Sequence, residues 1–163
     1  KERYLMSIEL KYDSVAALVA AAEKAGEPIS ALVLRQQAAQ LEKTEQEIYD
    51  QMAETYKVMA ACIEPGCAED LRSTSGLTGG SAFKMRKAVE SGKTLTGGVL
   101  GGALYRALAV SELNAAMGRV VAAPTAGSCG ILPAALLTMQ NDLGCSEHDC
   151  VMALFTALSL IHI

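Results

Sequence analysis

The sequence predicts an all-α protein, a multi-helix domain with glycine-rich loops between its helices. Three observations carry that expectation. Apolar residues recur at helical spacing over most of the 163 residues, with Ser, Thr or Asp before the runs and Gly or Pro after them. The composition is 51% hydrophobic but only 4% aromatic, with no Trp, so Ala, Leu, Val and Met must fill the core. Side chains that small make a core when helices lie in close contact, and the length suits one domain.

The first helix is expected in "YDSVAALVAAAEKAGEP", capped by Asp13 or Ser14. Val15, Leu18, Val19 and Ala22 would share one face, and Gly26 and Pro28 would end it. "ISALVLRQQAAQLEK" begins a second helix after Ser30. Thr44 and Glu47 have the spacing of a capping box. Behind them Ile48, Met52, Met59 and Ile63 form a helical stripe that runs to Pro65-Gly66.

From Leu71 the character changes. "STSGLTGGSAFKM" (73–85), "SGKTLTGGVLGG" (91–102) and "PTAGSCGILP" (124–133) each combine glycine with Ser or Thr. They alternate with helical patterns over Phe83 to Glu90, Val99 to Met117 and Leu132 to Asp142, and Ser146 with Asp149 caps a last helix. "GRVVAAP" reads either as a short strand or as extended chain running into Pro124. "LTGG" recurs at 77–80 and 95–98, an interval shorter than a solenoid repeat, so it reads as recurring loop chemistry.

Charge and pattern exclude several classes. A net charge of −4 argues against a nucleic-acid partner, which needs a basic face. No run of like charges marks a membrane patch, and the apolar stretch from Val151 to Ile163 is shorter than the about 20 residues of a membrane span. The chain begins Lys-Glu-Arg-Tyr, with neither Met nor an apolar leader, so the N-terminus reads as cut or incomplete and a cytoplasmic location is expected. Five cysteines without an export signal do not read as a disulfide framework. Packing, metal and catalysis are left for the thiols.

Glycine with Ser or Thr at a helix start offers backbone N–H groups and hydroxyls to a carboxylate or phosphate. The alternative is that the glycines only end and start helices. Nucleotide motifs fail: "GKT" at 92–94 would need a glycine where Lys87 stands, and "GGVLGG" lacks the strand-turn-helix context of a dinucleotide fingerprint.

Cys62 with Cys67 and Cys145 with Cys150 have Cys-x4-Cys spacing, which for these four reads as packing or helix-end placement. His148, between Glu147 and Asp149 in a first helical turn, reads as a surface residue. Cys129 differs. It stands between Ser128 and Gly130 with a helix starting behind it, a setting that favours thiolate, which is both a nucleophile and an iron or zinc ligand. His148 and His162 are the only histidines, and neither is set as a base for it, so a metal or cluster ligand is the stronger reading.

"STSGLTGG", "SGKTLTGG" and "ELNAAMGRVVAAPTAGSCGILPA", in that order, resemble the iron–sulfur-dependent L-serine dehydratases, specifically the alpha chain of the two-chain bacterial form. The resemblance covers most of residues 5 to about 157, and its long third motif is the specific one. It implies an all-helical cluster-bearing domain, a [4Fe–4S] cluster in place of pyridoxal phosphate, and conversion of L-serine to pyruvate and ammonia in amino-acid catabolism. It also implies a beta-chain partner and an oligomer. Cys129 matches the first cluster cysteine. Ser75, Gly76, Thr78, Gly79 and Gly80 match a loop resembling part of the substrate-carboxylate site, and Lys84, Lys93 and Asn114 fall on motif positions. The remaining cluster cysteines of the family lie in a segment beyond this chain, and Cys62, Cys67, Cys145 and Cys150 match none of them.

The resemblance therefore places residues 1–163 as the N-terminal part of the cluster-binding domain, truncated at the C-terminus and inactive alone. Two departures stand out. Ser81 replaces an acid common after the first Thr-Gly-Gly, and "LSLIHI" at 158–163 replaces a glycine-rich continuation and reads as a non-native tail. Two other functions remain: a cysteine-desulfidase-like lyase sharing the cluster domain, and a non-catalytic helical interaction module.

Overall fold

The computed structural model describes residues 12–123, 125 and 127–159. Among them are eight helices and no strand: α1 (Val15–Ala25), α2 (Ile29–Gln40), α3 (Glu45–Ala61), α4 (Ile63–Gly66), α5 (Ser81–Glu90), α6 (Gly97–Ala115), α7 (Ser128–Leu143) and α8 (Glu147–Ser159). The all-α expectation holds. Residues 118–123 of "GRVVAAP" are irregular rather than a strand, and Pro124 lies outside the described residues. Leu158 and Ser159 of the expected tail belong to α8, and 160–163 lie outside the described residues. The chain divides into two compact units: Glu54–Cys150, and the described residues before and after it.

In the unit that holds the N-terminal helices, caps fall where the sequence places them. The Ala17 N–H donates to Ser14 Oγ at 3.1 Å, and Gly26 closes α1 at φ +69°, where its missing Cβ removes the steric cost. Leu18 and Ala22 are buried, whereas Val15 and Val19 of the same expected face are exposed. Pro28, not Ser30, stands before α2, because its fixed φ suits a helix start; Ser30 is buried in the first turn. The Thr44–Glu47 box closes with Thr44 N–H to Glu47 Oε2 at 2.8 Å and Glu47 N–H to Thr44 Oγ1 at 3.2 Å. Of the stripe behind it, Ile48, Met59 and Ile63 are buried and Met52 half-buried, but α3 stops at Ala61 and Ile63 opens the short α4.

In the unit Glu54–Cys150, α6 packs against α4, α5 and α7. Glycines allow backbone to touch backbone. A Cβ on Gly66 would lie 2.2 Å from the Ala109 carbonyl oxygen, and one on Gly130 would lie 2.9 Å from that of Ala107. Helix α6 buries charge beside its apolar Ala109 and Val110. Its two charged residues, Arg106 and Glu112, are buried, while Leu100, Leu104 and Leu108 face water. Arg106 reaches α7, donating to Thr138 Oγ1 and Asp142 Oδ2, both at 2.7 Å. The starts of α5, α6 and α7 lie upstream of the expected Phe83, Val99 and Leu132, since their first turns hold glycine, serine and other small residues that carry no apolar period.

Candidate functional site

The expected carboxylate loop is a compact turn. The Gly76 N–H donates to the Ser73 carbonyl at 2.8 Å and the Ser73 N–H to the Thr78 carbonyl at 2.9 Å. The Ser73 hydroxyl sits inside the turn, accepting from the Thr78 N–H at 3.2 Å and lying 3.1 Å from Ser75 Oγ. Gly76, at φ +73°, lets the chain reverse. The hydroxyl-bearing Ser75 and Thr78 are exposed, as is Gly76, whereas Gly79 is half-buried and Gly80 buried.

The contacts of Gly79 and Gly80 lie within the chain. The Gly80, Ser81 and Ala82 N–H groups donate to the Glu112 carboxylate at 3.0, 2.8 and 3.4 Å. The start of α5 is thus an anion site whose anion is the chain's own side chain. Gly79 stands at φ +142°, and a Cβ there would lie 2.2 Å from the Leu71 carbonyl oxygen. Backbone closeness requires this glycine. Sequence reading missed Glu112 because its partners lie 30 to 32 residues upstream. One signal was available: it is the only acid in α6.

Cys129 lies in the first turn of α7 and is half-buried. The turn before it is tied by Ser128, whose Oγ donates to the Thr125 carbonyl at 2.6 Å and accepts from the Thr125 N–H at 3.0 Å. Gly127 caps the helix at φ +86° with nothing within 4 Å of where a Cβ would stand, so approach to the thiol's turn is open there. The neighbouring Gly130 rests on Ala107 of α6.

Both segments therefore seat on the second half of α6. The 73–80 loop joins it through Glu112 and through Thr74 N–H to the Ala115 carbonyl at 3.1 Å, and the Cys129 turn joins it at Ala107. The second Thr-Gly-Gly loop does not gather with them. It leads into Gly97 at the opposite end of α6, roughly 22 Å from Glu112 along the helix axis. Lys84, Lys93 and Asn114 are exposed on α5, on that second loop and near the end of α6.

The other thiols sort by burial. Cys62, Cys67 and Cys150 are buried, and burial pushes all three thiols above the ordinary cysteine value. Cys62 Sγ, with one proton to donate, lies between the Val58 and Arg119 carbonyls at 3.1 and 3.2 Å. Cys145 is half-buried in the turn after α7, and His148 is exposed. Among the described residues, no group of three or more His, Cys, Asp or Glu side chains converges as a metal site.

These features define a class: a helical domain that presents hydroxyls and one half-buried thiol beside a single packed helix. A family model describing the serine dehydratase alpha chain matches residues 24–163, and the chain belongs to that family. It is 39% identical over 129 residues to the probable L-serine dehydratase alpha chain of Bacillus subtilis, covering 79% of this chain and 43% of that one. It is 36% identical over 106 residues to the L-serine dehydratase alpha chain of Peptoniphilus asaccharolyticus, covering 65% and 36%. With L-serine dehydratase 1 of Escherichia coli the identity is 31% over 165 residues, covering 96% and 35%. The chain spans less than half the length of these curated relatives. No solved structure matches it. None of the described helices is long and apolar enough to cross a membrane.

Proposed function

We propose that this chain forms part of an L-serine dehydratase that, with a beta chain, converts L-serine to pyruvate and ammonia. The observation that carries the reading is the seating of the Ser75–Gly80 loop and the Cys129 turn on the same half of α6. On this reading the exposed Ser75 and Thr78 hydroxyls bind the substrate carboxylate. Gly79 and Gly80 shape that loop rather than receive the substrate themselves. Cys129 holds one iron of a [4Fe–4S] cluster, whose other ligands lie outside the described residues. When bound, such a cluster supplies an open iron as Lewis acid to the leaving hydroxyl.

The chain's own residues supply orientation. A carboxylate fixed by Ser75 and Thr78 anchors one end of the substrate and limits the directions open to the Cα–H and Cβ–O bonds, from which the α-proton and the β-hydroxide leave as the elements of one water. The aminoacrylate released by that elimination tautomerises to an imine, and water hydrolyses it to pyruvate and ammonia.

The test is anaerobic iron and sulfide reconstitution of a full-length alpha chain carrying this sequence, paired with its beta chain. Cys129→Ser should keep the helical circular dichroism but lose the stable cluster and pyruvate formation, because a hydroxyl replaces a soft thiolate poorly on iron. Cys145→Ser and Cys150→Ala should keep both, at a packing cost of about 1 kcal/mol or less. Full cluster content in Cys129→Ser would overturn the ligand assignment. Absence of serine turnover in the reconstituted parent would overturn the activity.

A further inference from the structure

We infer that Glu112 is a positioning residue for substrate binding, holding the Ser75–Gly80 loop in the form that presents its hydroxyls. The inference rests on the proposed assignment of that loop to the serine carboxylate. Glu112 touches none of the reacting atoms and acts through the loop.

Four observations converge on it. First, Glu112 is only 8% exposed, and its two carboxylate oxygens take three successive backbone amides at the end of the loop. Second, it sits in the last turn of α6, where the helix dipole disfavours a negative charge. Its placement is offset by the amides at the start of α5, so the demand comes from the loop and not from its own helix. Third, the local cap that such a start ordinarily uses is missing. Gly80 occupies the capping position at φ +81° and has no side chain to accept a bond, where Ser, Thr, Asp or Asn would cap α5 without outside help. A cap supplied from 30 residues away ties two segments together, which a local cap does not.

Fourth, the same turn of α6 holds the other end of the loop, through Thr74 N–H to the Ala115 carbonyl. Between these two ties lie the exposed Ser75, Gly76, Leu77 and Thr78. The loop is thus pinned at both ends to the turn from which the chain departs toward Cys129. Releasing the Glu112 tie would let the hydroxyls drift relative to the thiol while leaving the helices standing.

The experiment uses the reconstituted alpha–beta enzyme with Glu112→Gln and Glu112→Asp. Gln keeps the size and one carbonyl oxygen but turns an NH2 group against backbone donors; Asp keeps the charge and shortens the reach. KM for L-serine, kcat, iron content and hydrogen exchange over 73–82 are measured on the same preparations. For Glu112→Gln, KM should rise about tenfold or more with kcat changed less than about threefold, as for lost ground-state binding. Iron content should be unchanged, exchange at 80–82 faster, and Glu112→Asp intermediate in both KM and exchange.

An unchanged KM beside faster exchange would reduce Glu112 to a helix cap and overturn the inference. So would unchanged exchange, or loss of fold in both variants. A parent enzyme with no serine turnover would defeat the functional reading instead. The exchange data would still decide whether Glu112 holds the loop.

Discussion

Gly79→Ala tests whether the loop's shape is dictated by its backbone. A Cβ at Gly79 would lie 2.2 Å from the Leu71 carbonyl oxygen and 2.9 Å from Arg72 Cα, at φ +142°. The clashing atoms are main chain and cannot swing aside as a side-chain tip would. Holding an alanine at such a φ costs about 1–3 kcal/mol. Forcing the Leu71–Arg72 segment aside costs about 1–3 kcal/mol more. The two together, about 2–6 kcal/mol, correspond to a melting temperature lower by roughly 4–24 °C in a chain of this size. Gly98→Ala is the control. Gly98 lies in the first turn of α6, without a positive φ and with nothing within 4 Å of its missing Cβ. Alanine there should be neutral or stabilising by up to about 1 kcal/mol. Urea denaturation followed by far-ultraviolet circular dichroism reads both. A Gly79→Ala chain within about 0.5 kcal/mol of the parent, the range of an innocuous surface change, would refute the reasoning.

Other outcomes follow from the same contacts. Asp142→Ala should destabilise by about 3 kcal/mol in urea denaturation, because it strands the buried Arg106 charge; a loss below about 1 kcal/mol would mean that water reaches the guanidinium. Thr44 hydrogen bonds hold the Glu47 carboxyl below its ordinary 4.5. The stability it lends is therefore full above the unfolded value and lost as pH falls through the lowered folded value. Glu47→Gln should remove that component from a melting-temperature profile against pH. Native-state titration with a thiol reagent should label Cys129 and Cys145 first and leave the buried Cys62, Cys67 and Cys150 until unfolding. Early labelling of any of those three would contradict the packing assignment.

What could be read from the sequence was whatever short-range chemistry sets. Ser14, the Thr44–Glu47 pair and the Ser146–Asp149 pair announce their helix starts within a few residues, and each cap forms, the last with Asp149 N–H to Ser146 Oγ at 3.0 Å. Cys129 was legible as the odd thiol, because its small neighbours contrast with the apolar settings of Cys62 and Cys150. Periodicity failed where side chains are small. Gly97 and Gly98 are helical, but no apolar pattern could announce them. It failed again in choosing a face: Val15 and Val19 were expected beside Leu18 and Ala22 in α1 but are exposed, because which side is covered depends on what packs there. Glu112 was out of reach for the same reason, since its role exists only once residues 80–82 arrive from elsewhere in the chain.

The buried charges and part-exposed leucines of α6 have a calorimetric consequence. Heat capacity rises on unfolding when apolar surface becomes wet and falls when polar surface does. Leu100, Leu104 and Leu108 are already 55%, 42% and 37% exposed in the folded chain, so unfolding wets only the remainder of each. Arg106, Glu112 and Thr138, all buried, add newly hydrated polar surface that pulls the other way. Both effects lower the share of the heat-capacity increment that comes from α6 and its contact with α7. The helix therefore contributes less to the curvature of stability with temperature than its leucine content would suggest.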